Sequence, residues 1–181
     1  MRRHPAGTSR LGAGEDAKVE LRSDHPGGAP LARRLRGLAH AHLSALGRPN
    51  SGLSVLLTRD PVIRALNRRF RRVDRATDVL SFPLDEPDEL GDVAISLDVA
   101  RRRARGEGRP LLAEVDRYLV HGLLHLVGHD HEAPAEARAM AELEDRLLGE
   151  AGMLADSLRP GPAGPRVRAR QAGGKAARRA R

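Results

Sequence analysis

The run Leu111-Leu-Ala-Glu-Val-Asp-Arg-Tyr-Leu-Val-His121-Gly-Leu-Leu-His125-Leu-Val-Gly128-His129-Asp130-His131 decides how the rest of the chain is read. Leu119, Val120, Leu123, Leu124, Leu126 and Val127 make it apolar almost all round, the mark of a helix buried inside a domain. On a helix from about Leu111 to Val127, His121 and His125 stand four residues apart and share one face. Gly128 supplies a residue that tolerates positive φ, so the helix can end there and the chain can turn His131 back toward that face. An unpaired polar group in such surroundings costs roughly 2–7 kcal/mol, so two imidazoles at ligand spacing, with a third after a glycine, favour a shared metal ion over satisfied core histidines.

Three neutral nitrogens, in a chain with no cysteine, suit one Zn²⁺ best. Another first-row divalent ion stays possible, because affinity order alone does not decide selection. Three protein ligands leave one coordination position open, which separates a catalytic zinc from a structural one, so the expected chemistry is hydrolysis. The same spacing occurs in the metzincin proteases, where a Glu general base follows the first His; Gly122 stands in that place here. Peptide hydrolysis is therefore disfavoured, although Asp130 or Glu132 could substitute from another direction.

Two upstream runs add to the histidine motif. They are Leu66-Asn-Arg-Arg-Phe70-Arg71-Arg-Val-Asp74-Arg-Ala-Thr77-Asp78-Val-Leu-Ser81-Phe-Pro83 and Leu90-Gly-Asp-Val-Ala-Ile-Ser96. With the pattern H-G-x-L-H-L-x-G-H/Y-D-H, all three in order, the chain resembles the YbeY endoribonucleases over about residues 18–155. The resemblance implies a cytoplasmic, metal-dependent, single-strand endoribonuclease of rRNA maturation and ribosome quality control. It also implies a single-domain, zincin-like α+β fold, a small mixed sheet packed with about five helices. The zinc ligands it implies are His121, His125 and His131, the three that spacing selects independently, and the active-site arginine it implies is Arg71. Composition alone would leave Arg71 in a solvated stripe with Arg64, Arg68, Arg69, Arg72 and Arg75. His129 stands where many members carry tyrosine and is read as a variant beside the site, not a fourth ligand. The implied partners are single-stranded RNA, the small ribosomal subunit and its assembly factors, with neither DNA nor membrane among them.

Phosphodiester cleavage places negative charge on non-bridging oxygens, and a metal with a guanidinium aimed at those oxygens would stabilise it where water is excluded. The residues name neither the nucleophile nor the general base; Asp130 and His129 are merely near. Two other classes remain open on sequence: a non-catalytic ribosome-binding module with a structural metal, and another zinc hydrolase.

Of the 181 residues 40% are hydrophobic, with one tyrosine, two phenylalanines and no tryptophan, which supports one domain with an aliphatic core. The absence of cysteine fits a reducing compartment. No apolar run approaches the roughly 20 residues of a membrane span, and the opening Met1-Arg2-Arg3-His4 lacks an apolar signal core, so cytoplasm is the expected location. The net charge of +8 sits entirely in the stretch from Arg159 to Arg181, where eight basic residues meet no acidic one. Residues 158–181 are Pro-, Gly- and Ala-rich and are expected to form a disordered basic tail. Such a tail could hold RNA through phosphates, but all but two of the 32 basic residues are arginine chain-wide, which weakens a special role.

Residues 1–16 read as a flexible lead and 17–157 as the domain. Strands are expected at Lys18 to Ser23, Leu53 to Thr58, Thr77 to Phe82 and Asp92 to Leu97. Leu31, Leu35, Leu38, Ala39 and Leu46 recur with helical spacing up to Gly47; His40 and His42 on that helix, two apart, are expected at the surface. Asp60-Pro61 opens a helix to about Phe70, Asp98 to Arg105 forms a short basic helix, and Pro134 to about Gly149 an amphipathic one. Pro83 to Gly91, acidic at Asp85, Glu86, Asp88 and Glu89, reads as a solvated loop.

Overall fold

A computed structural model describes residues 18–86, 88–129 and 133–157. The elements run β1 (Val19–Ser23), α1 (Ala29–Ala45), β2 (Gly52–Thr58), α2 (Asp60–Arg71), β3 (Val79–Glu86), β4 (Glu89–Ser96), α3 (Leu97–Gly106), α4 (Leu111–Leu126) and α5 (Pro134–Ser157). Strands β1, β2 and β4 are parallel neighbours, and β3 adds antiparallel to β4 at one edge, giving the order β1-β2-β4-β3. This is the α+β fold with a small mixed sheet and five helices, counted among the described residues. The expected lead and tail lie outside those residues.

Side-chain alternation sorts the sheet into two faces. Leu21, Leu53, Val55, Leu57, Val93 and Ile95 turn toward α1 and α4 and merge with Leu35, Leu43, Leu119 and Leu123 into one aliphatic core. On the opposite face Leu56, Phe82 and Ala94 line a cavity with Leu66 and Phe70 of α2, the two phenylalanine rings 5.0 Å apart. Helix α4 is therefore sandwiched, with the sheet on one side and α1, α3 and α5 on others, which is why it is apolar nearly all round. Val120 and Leu124 form a second small cluster with Met140 and Leu147 of α5.

Two sequence expectations are corrected by these contacts. His42 is not at the surface: it is 1% exposed, and its Nε2 lies 2.9 Å from Oδ1 of buried Asp116 on α4. Two residues' separation does put His40 and His42 on different faces, but one of those faces is the packed one. The stretch from Pro83 to Gly91 is not a loop either. The β3–β4 ladder continues through Pro83 opposite Gly91 to Glu86 opposite Glu89, leaving a tight hairpin tip. Proline is compatible with this because β3 is an edge strand, where a missing donor need not break a ladder. The four carboxylates remain solvated.

The start of α2 is tied to the start of α3. The backbone N–H of Asp60 donates to Oδ2 of Asp98 at 3.0 Å, and Ser96 Oγ donates to Asp60 Oδ1 at 2.7 Å while also capping α3 through Val99 N–H. The far end of α2 is held by buried Asn67, whose Nδ2 donates to the Arg75 carbonyl, and by the bidentate pair of Arg64 with Asp74. These contacts fix the helix that carries Arg71 and the turn that follows it.

Candidate metal centre and active site

Helix α4 ends as its sequence predicts. Gly128 has φ +90, its N–H bonds to the His125 carbonyl and the N–H of His129 to the Leu124 carbonyl, the paired bonds of a Schellman motif. The chain therefore reverses immediately after the histidine pair. His131, with Asp130 and Glu132, lies outside the described residues. The side chain of His129 is exposed.

His121 and His125 converge. Their Nε2 atoms stand 3.2 Å apart, with ring planes at 81°. Two nitrogens bound to one tetrahedral ion at zinc distances stand about 3.3 Å apart, so the pair has the separation that metal ligation requires. The other nitrogen of His121 is occupied: Nδ1 lies 2.7 Å from Oε1 of Glu144 on α5. A carboxylate accepting from Nδ1–H fixes the tautomer and makes Nε2, on the His125 side, the nitrogen with the lone pair. Both rings are half-buried, so the site borders solvent. The donor set thus fits a metal, with His121 and His125 placed to hold it and Glu144 behind them.

Sequence reading missed Glu144, although a signal was present. Met140, Leu143 and Leu147 form the apolar stripe of α5, and Glu144 interrupts that stripe with a charge on the packed face. A carboxylate there needs a partner, and His121 is it.

Gly122 has a structural reason of its own. A Cβ at this position would stand 2.9 Å from Val93 Cγ1 and 3.1 Å from Ser81 Oγ, so α4 can lie this close to the sheet only with glycine. Ser81 Oγ donates to the Gly122 carbonyl at 3.2 Å, fastening β3 to α4 beside His121. The place of the metzincin glutamate is thus taken by close packing against Val93 and Ser81.

Arg71 closes α2 and is exposed, with Nη2 3.4 Å from the Ser81 carbonyl. Ser81 therefore touches both the arginine and the backbone of α4, which brings the two sequence-predicted parts of the site to one residue of β3. Phe70 next to it is half exposed, set edge-on to Phe82, with the Arg69 guanidinium 5.1 Å from its ring centre.

One helical turn before His121, Tyr118 is buried, and its Oη, beside the Glu114 carboxylate, makes no hydrogen bond of good geometry among the described residues. Burial, with the neighbouring Glu114 carboxylate, holds its hydroxyl well above the usual tyrosine range. Glu114 is itself 1% exposed and is paired with Arg109 at 3.4 Å and Arg103 at 3.8 Å.

A mixed sheet covering a buried helix, with two imidazoles of that helix turned to one point, marks a single-domain α+β protein with a paired-histidine candidate site. Comparison with known proteins makes the class specific. Residues 31–152 match the family model described as endoribonuclease YbeY. A protein of that name from Anaeromyxobacter dehalogenans (strain 2CP-C) is 58% identical over 147 residues, 79% of this chain and 76% of that one. Its namesake from Myxococcus xanthus (strain DK1622) is 50% identical over 151 residues, 80% of this chain and 51% of the other. A solution structure of a Thermotoga maritima protein superposes with a TM-score of 0.59 at 26% identity, covering 83% of this chain and 99% of that one. The chain belongs to the endoribonuclease YbeY family. Among the described residues no helix is long and apolar enough to cross a membrane.

Proposed function

We propose that this chain is a single-strand-specific, metal-dependent endoribonuclease of rRNA maturation and ribosome quality control, working in the cytoplasm with the small ribosomal subunit and its assembly factors. The observation that carries the metal is the pair of Nε2 atoms 3.2 Å apart with Glu144 behind one of them, in a family of endoribonucleases. His121, His125 and His131 hold one Zn²⁺, or another first-row divalent ion, and Arg71 faces the scissile phosphodiester. When bound, the ion supplies a Lewis acid at a phosphate oxygen. Arg71 offers a planar guanidinium with several donors to the non-bridging oxygens, where charge grows in the transition state. Ser81 and Gly122 keep the metal helix and the arginine's strand in register, and Glu144 keeps the His121 ring turned.

The reading is tested by cleavage of a single-stranded rRNA fragment with metal-replete protein, beside His125→Ala purified in parallel. Cleavage by the wild type alone supports it. Equal cleavage by both proteins would point to a contaminating nuclease, and none from either would favour a ribosome-binding module whose metal is structural. His131→Ala, assayed for bound metal, tests the third ligand: full metal content would remove it from the set.

A further inference from the structure

Behind His121 lies a cavity of about 170 Å³ lined by Asp78 and Val79 of the β3 edge, Arg103 of α3, Glu114, Arg117, Tyr118 and His121 of α4, and Glu144 of α5. We propose that this cavity is a nucleobase subsite, which receives the base of the nucleotide next to the scissile phosphate. The proposal rests on the ribonuclease reading above.

Four observations carry it. The first is the hydroxyl of Tyr118, more than nine-tenths buried on a residue that lines the cavity: it lies beside the Glu114 carboxylate but makes no hydrogen bond of good geometry among the described residues. A buried hydroxyl so poorly satisfied can gain from a group that completes it. Second, the space is several times the roughly 30 Å³ share of one water, and its scale is that of a planar heterocycle.

The third observation is charge. Three carboxylates face two guanidiniums, and Arg103 is already committed to Glu107 at 2.9 Å and to Glu114. With Arg109 also paired to Glu114, carboxylates and guanidiniums balance, which leaves no excess positive charge to hold a phosphate but suits a neutral base with amino or imino N–H groups. Asp78 offers it an acceptor: Oδ1 takes bonds from Thr77 Oγ1 and Val79 N–H, while no hydrogen bond to Oδ2 is found among the described residues. Arg117, half-buried and in no ion pair among the described residues, offers donors and a flat face. Together with Tyr118 they present donors and an acceptor in one small space, the means by which proteins read the edge of an unstacked base.

The fourth is position. Glu114, Tyr118, His121 and His125 follow one another along one side of α4, and three to seven residues of helix rise about 5–10 Å. A strand whose phosphate reaches the metal can therefore place an adjacent base in the cavity.

The test uses the full-length, metal-loaded protein and a set of single-stranded oligoribonucleotides cut at one position. At each flanking nucleotide the four bases and an abasic residue are compared, for the wild type, Tyr118→Phe and Arg117→Ala. Wild type should cut its best base about tenfold faster than the abasic substrate at one flanking position, the effect of one or two hydrogen bonds. Tyr118→Phe and Arg117→Ala should each narrow that ratio to about twofold, mainly through KM. A variant that is merely misfolded lowers both rates in proportion and keeps the ratio, which overturns the assignment, as does a wild type indifferent to the abasic residue on either side. Absence of cleavage of every oligonucleotide by the wild type would overturn the nuclease reading itself, and the subsite with it.

Discussion

Oε1 of Glu144 and Nδ1 of His121 are 2.7 Å apart, although 23 residues separate them in the chain and they sit on different helices. The contact makes α5 part of the candidate metal centre. Glu144→Ala should lower metal affinity about 10–100-fold while leaving the fold intact, and Glu144→Gln should lower it less, because an amide oxygen still accepts from Nδ1–H. Competition with a coloured chelator measures this. Wild-type affinity in Glu144→Ala would mean that the His121 ring is held by something else.

Arg71→Ala should retain stoichiometric metal and cut RNA about 10²-fold more slowly, the scale of losing one donor to developing negative charge. Arg71→Lys should recover only part of the rate, since an ammonium lacks the planar fork. Single-turnover cleavage with metal analysis separates the two effects. Undiminished cleavage in Arg71→Ala would return the residue to the exposed basic end of α2.

Gly122→Ala places a methyl 2.9 Å from Val93 Cγ1, on a stiff β-branched neighbour that cannot swing aside. The helix must lift from the sheet, at about 1–3 kcal/mol, and the Ser81–Gly122 bond stretches with it. Gly122→Glu should fail to reach the native state at all, so a protease-like base cannot be installed by one substitution. Urea titration decides this, and a stable, metal-loaded Gly122→Glu protein would contradict the packing argument.

The carboxyl of Asp98 lies below the usual aspartate range, first because the Asp60 N–H donates to it, then through His25 and Arg102. A carboxyl whose pKa is depressed by folding adds stability in full above its unfolded value of about 3.9, and loses it as pH falls through the lower folded value. Acid unfolding of the wild type should therefore steepen below about pH 4. Asp98→Asn should be less stable at neutral pH with a shallower acid limb. Superimposable acid limbs in the two proteins would show that Asp98 contributes no such term.

Helix α4 and its histidine pair were legible because their information is local. Four-residue spacing puts two rings on one face, and a glycine three residues beyond the second readily takes the left-handed conformation that ends a helix. Tertiary partners were not legible. His42 reads as a surface residue until Asp116 comes to meet it from α4, and Glu144 reads as one of many acids on an amphipathic helix until α5 docks beside His121. Pro83 suggested a loop because proline is a strong local breaker, but the edge position of β3 removes the objection. Gly122 was read for the carboxylate it lacks, while what it permits, contact with Val93 and Ser81, appears only when the sheet is in place.

That edge also bears on how the protein keeps to itself. An uncovered strand is an invitation for a second chain to add to the ladder, and long flat edges nucleate aggregates. Here the outer strand carries Pro83 within its pairing region, and Asp85, Glu86, Asp88 and Glu89 crowd its hairpin tip. A missing amide donor and four like charges discourage such growth, so the features that disguised β3 as a loop also serve as its safeguard against self-association in a crowded solution.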